Sequence, residues 1–232
     1  TSDNDFMNDW VVGAKAIYRK LNNAIDDTCD WRPFYAYGQS LGLNVGPDKF
    51  SPPSNMPGCY IYNPGSKLPL DVDLDGSGQL RHVTIPGDKF GPKAKRSYQA
   101  VVLTAEKASD KWYVNASYTW AKNYGNTEGL VKSDNAQTDT GTTSAFDYPE
   151  LMYGSNGWLP NDRRHSFKLY GGYKFTPEWS VGLNMLVESG RPSSCFGGGS
   201  GIPYGISGYQ SSYFYCEGKV DQRGHGKRLP WT

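Results

Sequence analysis

Between Tyr98 and Trp120 apolar and polar residues alternate on both sides of a short polar break at Ser109-Asp110. Alternation sends successive side chains to opposite faces of an extended chain, so this stretch predicts two antiparallel strands joined by a two-residue turn. With Ala108 opposite Lys111, one face pairs Lys107 with Trp112, Ala105 with Val114, Leu103 with Ala116, Val101 with Tyr118 and Gln99 with Trp120. The other face pairs Glu106 with Tyr113, Thr104 with Asn115, Val102 with Ser117 and Ala100 with Thr119. A slip of one residue would scramble both faces at once, so register and pleat agree. Tryptophan finishes each end of the apolar face, at Trp112 and Trp120. At roughly 3.3 Å per residue the two rings are about 26 Å apart along the strand, or about 20 Å in height once tilted. That height approximates the apolar band between the two aromatic girdles of a membrane barrel.

A second hairpin repeats the plan around Thr176-Pro177-Glu178, with Phe175 opposite Trp179, Tyr173 opposite Val181, Gly171 opposite Leu183, Leu169 opposite Met185 and Phe167 opposite Val187. Its polar face carries Lys174 with Ser180, Tyr170 with Asn184 and Ser166 with Glu188. Near the N-terminus Trp10, Val12, Ala14, Ala16 and Tyr18 alternate with Val11, Gly13, Lys15, Ile17 and Arg19. The expected fold class is therefore all-β: an antiparallel transmembrane β-barrel segment with long extracellular loops. The whole chain, 1–232, reads as one partial barrel. Strands are expected at about 10–25, 96–108, 111–122, 164–175 and 179–188, with the start of another at 228. The lipid-facing girdle is expected to comprise Trp10, Tyr18, Trp112, Tyr118, Trp120, Phe175 and Trp179.

Connections alternate between long and short: loops at 26–95, 123–162 and 190–226 against the two tight turns. Outer-membrane barrels have short periplasmic turns and long outer loops, which puts residues 1–9 and the tight turns in the periplasm. About five strands and a stub cannot close a barrel, so the chain reads as a piece of a larger protein.

Hydropathy alone would suggest a soluble protein, since only 37% of the residues are hydrophobic and no apolar run is long enough for a membrane helix. A barrel with a polar lumen and polar loops has the same average, so hydropathy does not separate the two. Lysine plus arginine number 24 against 23 aspartate plus glutamate, which points away from nucleic acid as a partner. The opening Thr1-Ser2-Asp3-Asn4-Asp5 is no signal peptide, so a leader was cleaved or the chain starts inside something larger. Of the three ways to pair four cysteines, Cys29 with Cys59 and Cys195 with Cys216 is favoured, because each pair sits within one loop. Disulfides imply an oxidising compartment.

One motif carries recognisable chemistry. Asp71, Asp73 and Asp75 alternate before Gly76, with Ser77 and Gln79 following, as in the first half of a calcium loop. The twelfth position is His82 where a bidentate glutamate is expected, and a solvated acidic turn reads the same residues equally well. Calcium is the one cofactor this suggests. His82, His165 and His225 fit no triad or metal pattern, so no catalytic residue is expected and the protein does not read as an enzyme. Arg163, Arg164 and His165 suit a strand mouth, anchored to loops or lipid head-group charge. Lys168, Lys174 and Glu188 fall on the polar, lumenal face. The run Gly197–Gly201 lacks the Lys-Ser/Thr of a phosphate loop, and Tyr204, Tyr209, Tyr213, Phe214 and Tyr215 suit either a stacking surface for sugar or peptide, or packing of the loop onto the barrel.

The chain resembles the Oar-like TonB-dependent receptors of Gram-negative outer membranes. The likeness is densest in the stretch Tyr118–Asn135, in Leu159-Pro-Asn-Asp-Arg-Arg-His165, in Ser189-Gly-Arg-Pro192 and in Arg223-Gly-His-Gly-Lys-Arg-Leu-Pro-Trp231, with a looser fit over Tyr18–Asp27. The resemblance implies a barrel of about 22 strands, plugged by an N-terminal domain and energised through a TonB complex. This sequence reads as lacking the plug, the TonB-contacting segment and the final strand. The expected function is part of an outer-membrane receptor that binds and moves a bulky extracellular substrate, with outer-membrane lipid and, through the plug, the TonB complex as partners. The alternative is a secreted, disulfide-braced, calcium-binding β-sandwich for adhesion or binding, whose apolar faces would turn inward to a shared core.

Overall fold

This computed structural model describes residues 10–45, 56–197, 206, 208–209 and 212–232. The expected periplasmic segment 1–9, Tyr204 and most of the glycine run lie outside them. In chain order the elements are β1 (Val11–Lys20), β2 (Asp26–Thr28), α1 (Arg32–Ser40), β3 (Tyr60–Tyr62), β4 (Leu68–Val72), β5 (Arg81–Ile85), β6 (Arg96–Ala108), β7 (Trp112–Gly125), β8 (Gly157–Trp158), β9 (His165–Lys174), β10 (Ser180–Glu188), β11 (Tyr215–Cys216) and β12 (Lys219–Val220). All strand pairs are antiparallel.

The long strands make one wall in the order β1-β6-β7-β9-β10, with β8 paired to the end of β7. The β9–β10 register is the one the alternation gives, Tyr173 opposite Val181 and Phe167 opposite Val187. The β6–β7 hairpin differs by two residues: Ala108 lies opposite Tyr113, Leu103 opposite Tyr118 and Val101 opposite Trp120. The turn has moved on by one residue, to Asp110-Lys111: Ser109 pairs with Trp112, donating its backbone N–H to the Trp112 carbonyl at 2.7 Å and accepting the Trp112 N–H on Oγ at 3.2 Å. Lys111 is meanwhile drawn to the neighbouring strand, its carbonyl accepting the Lys174 N–H at 2.7 Å. An even offset keeps every side chain on its face. β1 ends at Lys20, short of residue 25, because the Leu21 N–H already bonds Arg96, the first residue of its partner β6. β7 runs past residue 122 because β8 pairs with Tyr124 and Gly125. Gly125 has no room for a side chain: a Cβ there would sit 2.1 Å from the Lys95 carbonyl oxygen.

The registers bring Val12, Ala14, Ala16 and Tyr18 of β1 beside Ala105, Leu103, Val101 and Gln99 of β6, and Ala116 of β7 beside Leu169 of β9. One continuous apolar face results, and the described residues place nothing over it: Val12 is 73% exposed, Leu183 57% and Trp179 73%. The β-sandwich alternative required that face to be buried. Both flanks of the sheet are open. Among the described residues β1 has no strand on its far side, and only the tail lies alongside the end of β10 and the residues after it, through Glu188 with Thr232 and Arg191 with Leu229. Among the described residues the sheet is not closed, and no helix is long and apolar enough to cross a membrane.

The core lies in the loops. The described residues of segment 26–95, expected to be irregular, form a compact cap whose buried side chains include Trp31, Phe34, Tyr60, Tyr62, Val72, Val83 and Phe90, joined by Phe146 and Met152 from the second long loop. Helix α1 carries Pro33 in its first turn, where the missing N–H costs no intrahelical bond, and buries Phe34, Tyr35 and Gly38. Replacing Phe34 by alanine removes a fully buried ring and should destabilise the cap by roughly 3–5 kcal/mol. Hydrogen exchange should then accelerate in 26–95 while β6 and β7 keep their protection, since local opening of a loop unit need not unfold the wall. Equal loss in both would show that cap and wall fold as one unit.

Candidate functional site: the strand mouth and its cap

The loop ends of the wall strands converge on Asp162, whose side chain is fully buried. Its Oδ1 accepts the Asn123 N–H of β7 at 2.6 Å, and its Oδ2 accepts Arg164 Nη2 at 3.0 Å and Arg228 Nη2. Arg228 Nη1 also donates to the carbonyls of Asp162 and Gly190 at 2.8 and 3.0 Å. One carboxylate thus ties the ends of β7 and β9 to the tail. Arg163 donates to the Ser189 carbonyl at 2.9 Å, and Arg164 stacks over Trp158 at 4.4 Å. His165 leaves this knot for the apolar face, sandwiched between Tyr118 and Trp231 at 6.0 and 5.9 Å between ring centroids.

Two further buried charge clusters bind the loops together. Arg223, 2% exposed, donates to Asp134 Oδ2 at 2.7 Å and to Glu128 Oε1 at 2.8 Å, which fastens the third long loop to the second. Beside it Lys132 donates to the Ser212 carbonyl at 3.0 Å and faces the rings of Phe196 and Phe214; burial pushes its pKa down to about 8. Below them Asp26 accepts both the N–H and the hydroxyl of Thr143, at 2.8 and 2.9 Å, and Asp147 accepts the Tyr209 hydroxyl at 2.7 Å. Burial outweighs these hydrogen bonds and raises Asp26 to about 6 and Asp147 to about 7. The cysteines are joined as Cys29–Cys59 and Cys195–Cys216, one bridge in each of the first and third loops.

The acidic motif forms the tip of the β4–β5 hairpin. Asp71 is paired across the strands with His82, Nδ1 to Oδ1 at 2.8 Å, so the histidine at the expected glutamate position is a cross-strand neighbour. Asp73 accepts the Gly78 N–H at 2.7 Å. Asp75 accepts from Ser77 and pairs with Arg81 at 3.3 Å, contacts that hold its carboxyl down at about 2. Ser77 caps the Gln79 N–H. Among the described residues the one trio of potential ligand groups within 4.8 Å of one another is Asp27, Cys29 and Cys59, and both cysteines are disulfide-bonded. The three aspartates do not converge, and an ion here would have to displace His82 and Arg81.

The girdle residues lie at the apolar face. Trp10 and Trp112 approach to 6.3 Å with Lys107 Nζ at 6.0 and 5.5 Å from their rings, and Tyr173 meets Phe175 edge-on at 5.0 Å. Lys168 and Lys174 project from the opposite, polar face, as does Glu188, which accepts the Ser166 hydroxyl. Tyr209 and Tyr213 pack with Cys29 and Tyr148, and Phe214 is buried against Phe196. His225 donates its backbone N–H to the Gln222 carbonyl at 3.0 Å. Asp26, Lys132, Asp147 and Arg223 are not legible as a cluster in the sequence, because their partners lie far off along the chain.

Two outcomes are expected. A carboxyl whose folded pKa is raised binds more protons folded than unfolded, so its stabilisation is complete at low pH and lost as pH rises through the folded value. For Asp26 and Asp147 that window is about pH 4 to 7, on the order of 3 kcal/mol for either group alone. Lys132, held low, changes stability only above about pH 8, outside it. Proteolysis of the cap should therefore be slower at pH 5 than at pH 8, and Asp147→Asn should flatten the difference. Secondly, calcium and a chelator should leave equal cleavage of segment 26–95; protection by calcium that Asp73→Asn abolishes would restore the ion site.

No family model matches the chain, and no solved structure matches it. Among curated proteins it is similar to the TonB-dependent transporter Oar of Myxococcus xanthus, 33% identical over 176 residues. The alignment takes in 74% of this chain and 16% of Oar, so the chain spans a small part of the relative it matches.

Proposed function

We propose that this chain forms part of the wall and outer loops of a TonB-dependent receptor in a bacterial outer membrane. In this reading the strands belong to a barrel of about 22, the long loops face outward, and the parent binds a bulky substrate and moves it inward with energy from a TonB complex. The observation that carries it is the uncovered apolar face, bounded by aromatic residues and backed by a polar face bearing Lys15, Ser117, Lys168 and Asn184. Hydrocarbon is the medium that leaves such a face uncovered without penalty, and it also requires the open backbone edges of β1 and β10 to be paired by further strands. Likeness to Oar supports the transporter class, and the two disulfides suit loops on the oxidising side. Lipid contact is the partner interaction this reading needs first.

Adjacent residues on β7 test it. Ala116 lies mid-way along the apolar face and Asn115 on the polar one. In the full-length protein inserted in lipid vesicles, Ala116→Arg should cost about 2–4 kcal/mol of unfolding free energy, and Asn115→Arg, beside Glu106, far less. Equal costs would remove the membrane from the account.

A further inference from the structure

Toward the loop end the apolar face gives way to a basic cradle. A cavity of about 540 Å³ opens there, walled by Tyr18, Lys20 and Asn22, by Lys93 and Lys95, and by Tyr124. Tyr18 and Lys20 are in step with Val12, Ala14 and Ala16, so the cradle opens on the same side as the apolar residues. No acidic residue lines it. Lys20, Lys93 and Lys95 are exposed, and among the described residues none of them forms an ion pair, whereas Arg32, Arg81, Arg164, Arg223 and Arg228 each hold a carboxylate.

The backbone beneath these lysines is fixed. Asn126, 3% exposed, accepts the Lys95 N–H on Oδ1 at 2.7 Å and donates Nδ2 to the Lys93 carbonyl at 3.0 Å. The Leu21 N–H, next to Lys20, bonds Arg96 at 2.8 Å. Three ammonium groups are thus carried on rigid backbone around one concavity, with Asn22 and Tyr124 adding polar groups. Directly below stand Tyr18, 65% exposed, and Trp120 with Lys122 at 5.0 Å from its ring. A ligand fitting both levels has a phosphate-rich head and an apolar body.

We propose that the cradle binds the phosphoryl headgroup of an outer-leaflet lipid of the lipid A class, a bisphosphorylated glucosamine carrying acyl chains. This rests on the reading of the apolar face as the membrane face. Ammonium groups serve phosphate as point charges, and lysines at a membrane surface each add to the affinity for anionic lipid. The acyl chains lie along Ala14, Val101 and Leu103 while the phosphates sit among Lys20, Lys93 and Lys95.

The full-length protein, purified in a non-ionic detergent, is titrated with lipid A, with phosphatase-treated lipid A and with inorganic phosphate, and bound lipid is counted by native mass spectrometry. Lipid A should bind, and the triple substitution Lys20→Gln, Lys93→Gln, Lys95→Gln should weaken it about tenfold or more, as should removal of its phosphates. Unchanged affinity in the variant would overturn the proposal, and so would inorganic phosphate displacing lipid A at equal concentration, which would mark a site for a free anion. Because the lysines are exposed, the variant should keep the heat-dependent gel migration of the parent. A parent that does not fractionate with the outer membrane would defeat the wall reading itself; a correctly located parent indifferent to the three lysines would defeat only the cradle.

Discussion

Everything else in this molecule depends on a sheet whose apolar face, among the described residues, is left open to its surroundings and whose two edges are unpaired along most of their length. In water such a face and such edges would drive association. In hydrocarbon the face is at ease, and the edges become an absolute demand for neighbouring strands, because an unpaired backbone group has no water to bond. The same constraint explains the chemistry of the wall. Charge on the apolar side is confined to the ends, where Lys107 lies between Trp10 and Trp112 and Lys122 against Trp120, while Lys15, Lys168 and Glu188 occupy the other face.

The wall contributes little to the buried core, and the loops supply what it lacks. Trp31, Phe34 and Phe90 pack with Phe146 into a unit with its own helix and hairpins, closed at one end by the Cys29–Cys59 bridge. Buried ionic knots join the strand ends to the tail and the loops to each other: Asp162 gathers Asn123, Arg164 and Arg228, and Arg223 gathers Glu128 and Asp134. Losing one partner from such a knot leaves a desolvated charge behind, so breaking it costs more than the intact pair contributes.

How much of this can be read from residues alone follows the range of the interactions. The β9–β10 register is fully legible, since alternation and a short turn are both local. At the β6–β7 hairpin the faces are legible and the turn is not, because Ser109 to Trp112 and Lys111 to Lys174 are contacts alternation does not encode. The cap is illegible: α1 is nine residues with a proline in its first turn, and its core gathers residues scattered from Trp31 to Phe90 and completes itself with Phe146 and Met152 from another loop. The acidic motif reads two ways for the converse reason. Its spacing invites an ion, yet the hairpin turns Asp71 toward His82 and Asp75 toward Arg81. Buried Arg223 and Lys132 give no local signal, as charged residues in a polar loop look solvated.

The central claim, that one face of β6 and β7 meets lipid, is tested most directly by spin labels placed singly at each position from 101 to 107 in the full-length protein reconstituted in a bilayer. Collision with oxygen, which concentrates in hydrocarbon, should peak at Val101, Leu103 and Ala105, and collision with a water-soluble nickel chelate should peak at Val102, Thr104 and Glu106. Absence of a two-residue alternation, or labels at Leu103 and Ala105 immobilised and shielded from both reagents as in a protein core, would contradict the account.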